Sequence, residues 1–293
     1  MKKIAAILLA ALTAAVLLAG CGAGGSEKKY KILDETLKDE EYAIAFRKGD
    51  FTLRDEVQKC LVELKKDGTL AEISEKWFGE DKIIVKDEFT PSDSTDDSLQ
   101  KIKDKGEFIL GFDESLPPMG FRNDEWEHDG FDIDVAKKVC EKMGVKLNLR
   151  PISWDAKDQE LNTGNIDCIW NGFTVNEERA EKLTLSEPYM INKQVVVTLE
   201  GSGIETLEDL KGKRVTLQNG STAEEALNSR ADIVSSLEGG APYKVNNNVV
   251  ALNDLQKGGC DAVVMDEVVA RYYVSHQEQL EADLQKASSA VSE

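Results

Sequence analysis

Histidine is nearly absent from this chain: 293 residues include only His128 and His276, far apart in sequence. Catalysis that relies on an imidazole beside a nucleophile therefore has little to work with. Cysteine is almost as sparse. Apart from Cys21, the cysteines are Cys60, Cys140, Cys168 and Cys260, none in a CxxC or Cys/His spacing. A zinc site or a thiol nucleophile is not expected. Each of the four sits in an apolar helix or strand pattern, where a free buried thiol acts as a small hydrophobe; an exported chain would also permit a disulfide. Positive charge is short as well, with 36 Lys and Arg against 55 Asp and Glu, a formal net charge of −19. So acidic a chain repels phosphates, which excludes nucleic acid as a partner. No metal cluster or cofactor motif is present, so neither a metal nor a cofactor is expected. A long apolar run occurs only at 4–18, too short for a comfortable membrane span. The 41% of hydrophobic residues still suffices for a packed core.

The run at 4–18 follows Lys2 and Lys3, the layout of a secretory signal at 1–20. Leu18-Ala19-Gly20-Cys21 resembles the lipobox of bacterial lipoproteins, which implies cleavage before Cys21 and its acylation. Residues 21–29, rich in small side chains, fit a tether holding an anchored domain off the membrane. The expectation is an exported, lipid-anchored protein of two ordinary domain sizes.

The informative stretch is 165–190, NIDCIWNGFTVNEERAEKLTLSEPYM. It predicts an apolar strand at 166–170, a polar loop at 171–174 and a helix start carrying Arg179. A guanidinium grips carboxylates with a planar two-pronged donor set, and hydroxyls nearby share the anion. Arg179 also has a plainer reading as a solvated helix charge. Elsewhere strands and helices alternate, as an α/β architecture requires. Strands are expected at 108–112, 145–149, 194–198, 214–217, near Val249 and at 262–265. Helices are expected after Asp134, at 154–163 and from Ser221.

The chain resembles the polar-amino-acid-binding proteins of ABC importers, which have the two-lobed type II periplasmic-binding-protein fold. The resemblance rests on GFDESLPPMGF (111–121), DGFDIDVAKKV (129–139), ISWDAKDQELNTGNID (152–167), LEDLKGKRVTLQNGSTAEEAL (207–227) and GGCDAVVMDEVVARYYV (258–274). Residues 30–79 resemble the family's carboxy-terminal end, yet here they come first. The simplest account is circular permutation, with the old ends joined through the polar stretch DEFTPSDSTDDS. The other is a segment-swapped dimer. The implied layout places 30–43 in lobe two and 44–82 in lobe one. A linker at 83–98 precedes the main parts of lobe one (99–194) and lobe two (195–278), and 279–293 is a tail. Crossings between lobes are expected at 42–46 and 194–198.

The resemblance also implies roles. Arg179 would bind a ligand carboxylate, with Thr174 alongside and with Ser221 and Thr222 at a helix start. Asp266 would meet an ammonium, helped by Asn171 and Gly172. Plainer readings make Ser221 and Thr222 a helix cap and Asp266 an N-cap. Trp154 would face the ligand side chain, with Phe121 and Trp170 as additional walls, and Asp113 would meet its distal group. Leu116 and Met119 depart from aromatics frequent nearby, which leaves specificity open. The implied function is capture of a free amino acid by hinge closure and delivery to a membrane permease, by a monomer without enzymatic activity. The rivals are a cyclohexadienyl-dehydratase-like enzyme on the same fold and an extracytoplasmic sensor.

Overall fold

A computed structural model describes residues 28–277. The signal, Cys21, most of the tether and the tail lie outside the described residues. Two long antiparallel strands, β1 (Tyr30–Phe46) and β9 (Met190–Leu199), join the two halves of the molecule. In lobe one, β6 (Lys146–Pro151), β2 (Glu107–Phe112) and β7 (Cys168–Thr174) run parallel, and the end of β1 pairs antiparallel with β7. In lobe two, β11 (Tyr243–Val245), β10 (Val215–Gln218) and β12 (Ala262–Asp266) run parallel, and β12 pairs antiparallel with β9. With β8 (Thr184–Leu185) on β1, one nine-stranded sheet crosses the molecule. A small three-stranded sheet, β3 (Ser115–Leu116), β4 (Gly120–Arg122) and β5 (His128–Asp129), covers one side of lobe one.

Strands covered on both faces need continuous apolar runs. β7 is buried at every position, and β12 at all but its last, Asp266. Helix α1 (Phe51–Lys66) presents Leu53, Val57, Leu61 and Leu64 to the core, one face at helical spacing. Beside it lie α2 (Thr69–Phe78), α3 (Ser98–Lys105) and α4 (Phe131–Met143). Gly79, Gly106 and Gly144 end those three helices with left-handed backbone, as C-terminal caps require. A 3₁₀ turn (Trp154–Ala156) leads into α5 (Lys157–Asn162), and α6 (Glu177–Lys182) follows β7. Lobe two adds α7 (Ala223–Asn228), α8 (Ala231–Val234), α9 (Asn248–Gln256) and α10 (Glu267–Ser275). Cys60, Cys140, Cys168 and Cys260 are buried free thiols. Burial pushes the Cys140 thiol up to about 12. Among the described residues, no helix is long and apolar enough to cross a membrane.

Several expected boundaries move. Residues 171–174 continue β7, because Phe173 and Thr174 pair with Ala43 and Tyr42. Val249 lies in α9, where the Asn247 side chain caps the helix by accepting from Val250 N at 2.9 Å. The helix after β10 begins at Ala223, with Thr222 as its N-cap. Near the expected crossings, residues 38–42 of β1 pair with 190–194 of β9, and Tyr42 also faces Thr174 of β7. The stretch at 83–98 is a pinned strap. Ile83 bridges Met190, Val85 is buried, and the Asp96 carboxylate accepts from Thr52 N and Ser98 N.

Candidate functional site

The sheet register breaks where β7 reaches the cleft. Ala43 faces Phe173 while Ala45 faces Ile169, so β7 carries extra residues through Trp170–Gly172. Such a bulge bends a strand and re-aims its side chains. Gly172 sits at φ +55°, and a Cβ there would lie 3.1 Å from the buried Tyr42 ring. Its N–H donates to Asp132 Oδ2 at 2.8 Å, while Asn171 Oδ1 accepts from Asp113 N at 3.0 Å. The bulge thus ties β7 to α4 and to the end of β2, and it leaves Asn171, Gly172 and Thr174 facing lobe two.

Arg179 is set by the short helix after the bulge. The Asn176 side chain caps α6 by accepting from Arg179 N at 2.8 Å. The guanidinium lies 4.1 Å from the Phe173 ring centroid, and Nη1 donates to Thr174 O at 2.7 Å. Burial lowers its pKa, opposed by the charges of Glu40, Asp158 and Asp266. It is no solvated surface charge.

Lobe two supplies the opposite wall. Thr222 Oγ1 donates to Thr174 Oγ1 at 3.3 Å, and Thr174 Oγ1 donates to Glu40 Oε2 at 3.0 Å. Ser221 Oγ donates to Gln218 O at 2.8 Å. Gln218 Nε2 reaches across to Asp113 Oδ2 at 2.7 Å, and Ser115 N donates to Asp113 Oδ1 at 2.9 Å. Burial pushes the Asp113 carboxyl up, against the pull of these donors. Lys157 Nζ, at the mouth, donates to Trp154 O in its own lobe and to Gly220 O in the other, each at 3.1 Å. Its pKa is lowered to about 8 by burial and by the neighbouring Arg179.

Asp266 ends β12 and makes no side-chain cap on α10. Its Oδ1 instead accepts from Tyr42 Oη at 2.8 Å, Asn192 Nδ2 at 2.5 Å and Gln194 Nε2 at 3.0 Å. Burial and the charge of Glu40 raise its pKa to about 7.

Asp113, Trp154, Asn171, Gly172, Thr174, Arg179, Ser221, Thr222 and Asp266 therefore line one cleft, joined by Leu116 and Gln218. The space they leave is about 20 Å³, room for about one water molecule. Beyond Arg179 the cleft widens to about 450 Å³ between Lys157, Asn176 and Glu225. Phe121 is elsewhere: it packs 5.8 Å from Trp77 of α2 and 5.8 Å from Tyr272 of α10. Trp170 is fully buried behind the cleft, 6.4 Å from Tyr189. Trp170 thus serves the core, and the partly buried Phe121 packs between two helices. Sequence reasoning missed Gln218, Glu40, Asn192 and Gln194. Gln218 directly precedes Asn219-Gly220-Ser221-Thr222. Asn192 and Gln194 stand two apart in β9, the period that puts both on one face, with Lys193 between them on the other.

With this geometry in place, comparison with known proteins is informative. Residues 5–80 and 108–292 match the profile of the bacterial extracellular solute-binding proteins, family 3. The L-cystine-binding protein of Escherichia coli is 30% identical over 174 residues, 59% of this chain and 63% of its own length. The chain thus spans under two thirds of that relative. A Streptococcus pneumoniae ABC uptake transporter substrate-binding protein, solved with bound histidine, is 36% identical with a TM-score of 0.61 over 63% of this chain and 76% of its own. An ancestral amino acid-binding protein described as a precursor of cyclohexadienyl dehydratase is 31% identical, with a TM-score of 0.57 over 61% and 78%. The extent of the profile match decides the affiliation: the chain belongs to the bacterial extracellular solute-binding proteins, family 3.

Proposed function

We propose that this protein captures a free amino acid between its lobes by hinge closure and presents it to an ABC permease. The observation that carries the reading is the pairing, in one cleft, of Arg179 on lobe one with Asp266 on lobe two. A zwitterion places its carboxylate on the guanidinium and its ammonium on the carboxylate, and so bridges the lobes. Thr174, Ser221 and Thr222 add donors beside Arg179, and Asn171 and Gly172 lie beside the ammonium position. Asp113 and Gln218 lie together in the same cleft, which favours a side chain that donates hydrogen bonds, with Trp154 and Leu116 as apolar walls. With so little free space, the ligand enters with the lobes apart and then selects the closed form.

The chain order supports a circular permutation. The front segment sits in this chain's own sheet between β9 and β7, and Gln277 Nε2 donates to Lys28 O at 3.2 Å, so the described ends adjoin. New ends that meet on one surface are what a permutation requires. We place the protein outside the cytoplasm as a monomer anchored through Cys21, with a segment-swapped dimer as the alternative. No enzymatic step is assigned. The dehydratase precursor among the structural neighbours is the one observation favouring a second reading, a dehydratase on this fold.

Calorimetry against the free amino acids, L-cystine and prephenate, with light scattering for mass, tests the assignment. One-to-one binding of an amino acid by a monomer is expected. Binding of prephenate alone would overturn it in favour of the dehydratase.

A further inference from the structure

Glu40 is the one charged residue on the hinge strands that is nearly sealed from solvent, 5% exposed, and it does not line the cleft. Asn192 Nδ2 donates to Glu40 Oε2 at 3.3 Å as well as to Asp266 Oδ1, and Gln194 Nε2 donates to the same two oxygens at 3.0 Å each. A buried carboxylate and a half-buried one thus share two amide donors, and among the described residues neither forms an ion pair with a cation. Glu40 Oε1 is buried without a hydrogen-bond partner, and Oε2 accepts only from neutral donors, Thr174 Oγ1 and the two amides. Two like charges held this close in low dielectric cannot both stay ionised without cost, and the cheapest relief is a proton.

The groups around the pair supply that relief only in part. From β1, Tyr42 donates a neutral hydroxyl, and its own pKa is raised well above its usual value by burial and by Asp266. From β7, Thr174 Oγ1 donates to Glu40 Oε2 at 3.0 Å, and from β9 come the two amides. From α6 comes Arg179, whose charge acts first on Glu40 and also on Asp266, where it works against the upward shift; its guanidinium hydrogen-bonds Thr174 O and stacks on Phe173 and forms no ion pair with either carboxylate. Lys38, on the same strand as Glu40, is paired with Glu225 of α7.

We propose that Glu40 is a positioning residue for ligand capture: it holds a proton on Asp266 in the empty protein, and the ligand's ammonium displaces that proton to solvent on binding. The inference rests on the reading of Asp266 as the ammonium partner. It deepens that reading by making capture proton-linked. The direction of the Asp266 shift agrees, with burial and Glu40 raising it to about 7. Affinity then falls about tenfold for each pH unit below that inflection and levels off above it.

The first test needs no ligand. Carboxyl carbon NMR of the intact protein should show Asp266 titrating near neutrality, and Glu40→Gln should move that titration down by about one pH unit or more. An Asp266 carboxyl titrating in the unaltered protein at the usual aspartate value, about 4, would overturn the proposal even if the variant fails to fold. The second test is calorimetry of L-arginine and L-glutamine from pH 5.5 to 7.5, in two buffers of different ionisation enthalpy; both ligands keep their α-ammonium across that range. One proton should be released per ligand below the inflection, and none in Glu40→Gln. Glu40→Asp, which keeps the charge, should keep the release. Binding without proton release would refute proton linkage and leave amino-acid capture standing. A neutral titration of Asp266 with no amino acid bound would do the reverse.

Discussion

Replacing Arg179 by alanine isolates the interaction on which the functional reading depends. The guanidinium is half-buried at the junction of the narrow cleft and its mouth, so closure traps any carboxylate beside it. Truncating one partner of a buried, hydrogen-bonded charge pair costs about 2–5 kcal/mol. The mouth lets water reach the orphaned carboxylate, which places the loss near about 3 kcal/mol, or roughly 150-fold in Kd. The fold itself should barely respond. The stack on Phe173 and the bond to Thr174 O are together worth about 1–2 kcal/mol, but burying the charge works against them. Arg179→Lys keeps the charge and loses the two-pronged geometry, so a loss of about tenfold is expected. Calorimetry reads affinity, and thermal unfolding without ligand reads stability. An Arg179→Ala protein that binds within about threefold of the unaltered one would refute the carboxylate assignment.

Two further predictions come from the walls of the cleft. Gly172→Ala forces a side chain into left-handed backbone and against Tyr42, so a loss of about 1–3 kcal/mol in denaturant unfolding is expected; an unchanged midpoint would mean the bulge is softer than its geometry. Lys157, lowered to about 8, is depressed below its unfolded value, so the unfolded chain binds more protons between about pH 8 and 10.5 and stability rises with pH there. Comparison with Lys157→Met across that window should show a difference on the order of 3 kcal/mol, and parallel curves would mean the amine is solvated.

Much of the lining of the candidate site was legible because chemistry and position coincided in short segments. Arg179, Thr174 and Asn171 fall within nine residues, and Asp266 closes an apolar strand. What failed were inferences from local pattern alone. Asn171-Gly172-Phe173-Thr174 reads as a loop because polar residues and glycine break an apolar run, yet pairing with Tyr42 and Ala43 makes it strand. That partner lies over a hundred residues away, beyond any local window. Phe121 and Trp170 read as ligand walls because aromatics near a cleft are ambiguous; only the positions of Trp77, Tyr272 and Tyr189 resolve them to packing. Glu40 stands in a run of charges, Lys38-Asp39-Glu40-Glu41, where burial of one member alone leaves no mark in composition.

In the proposed capture, the two strands that join the lobes would make binding and closure a single event. β1 and β9 belong to both lobes, and their polar residues at the passage, Glu40, Tyr42, Asn192 and Gln194, are the ones around Asp266. A charge arriving at Asp266 therefore acts on the strands that must bend, without a relay through the body of either lobe. In the proposed complex Arg179 would meet the ligand's other end from lobe one, so a zwitterion would satisfy both groups only when the lobes are together. An isolated carboxylic acid would satisfy Arg179 and leave Asp266 facing Glu40. An isolated amine would do the converse. Neither has the differential affinity for the closed state that moves a two-state equilibrium, and in this geometry that difference is what separates an amino acid from its fragments.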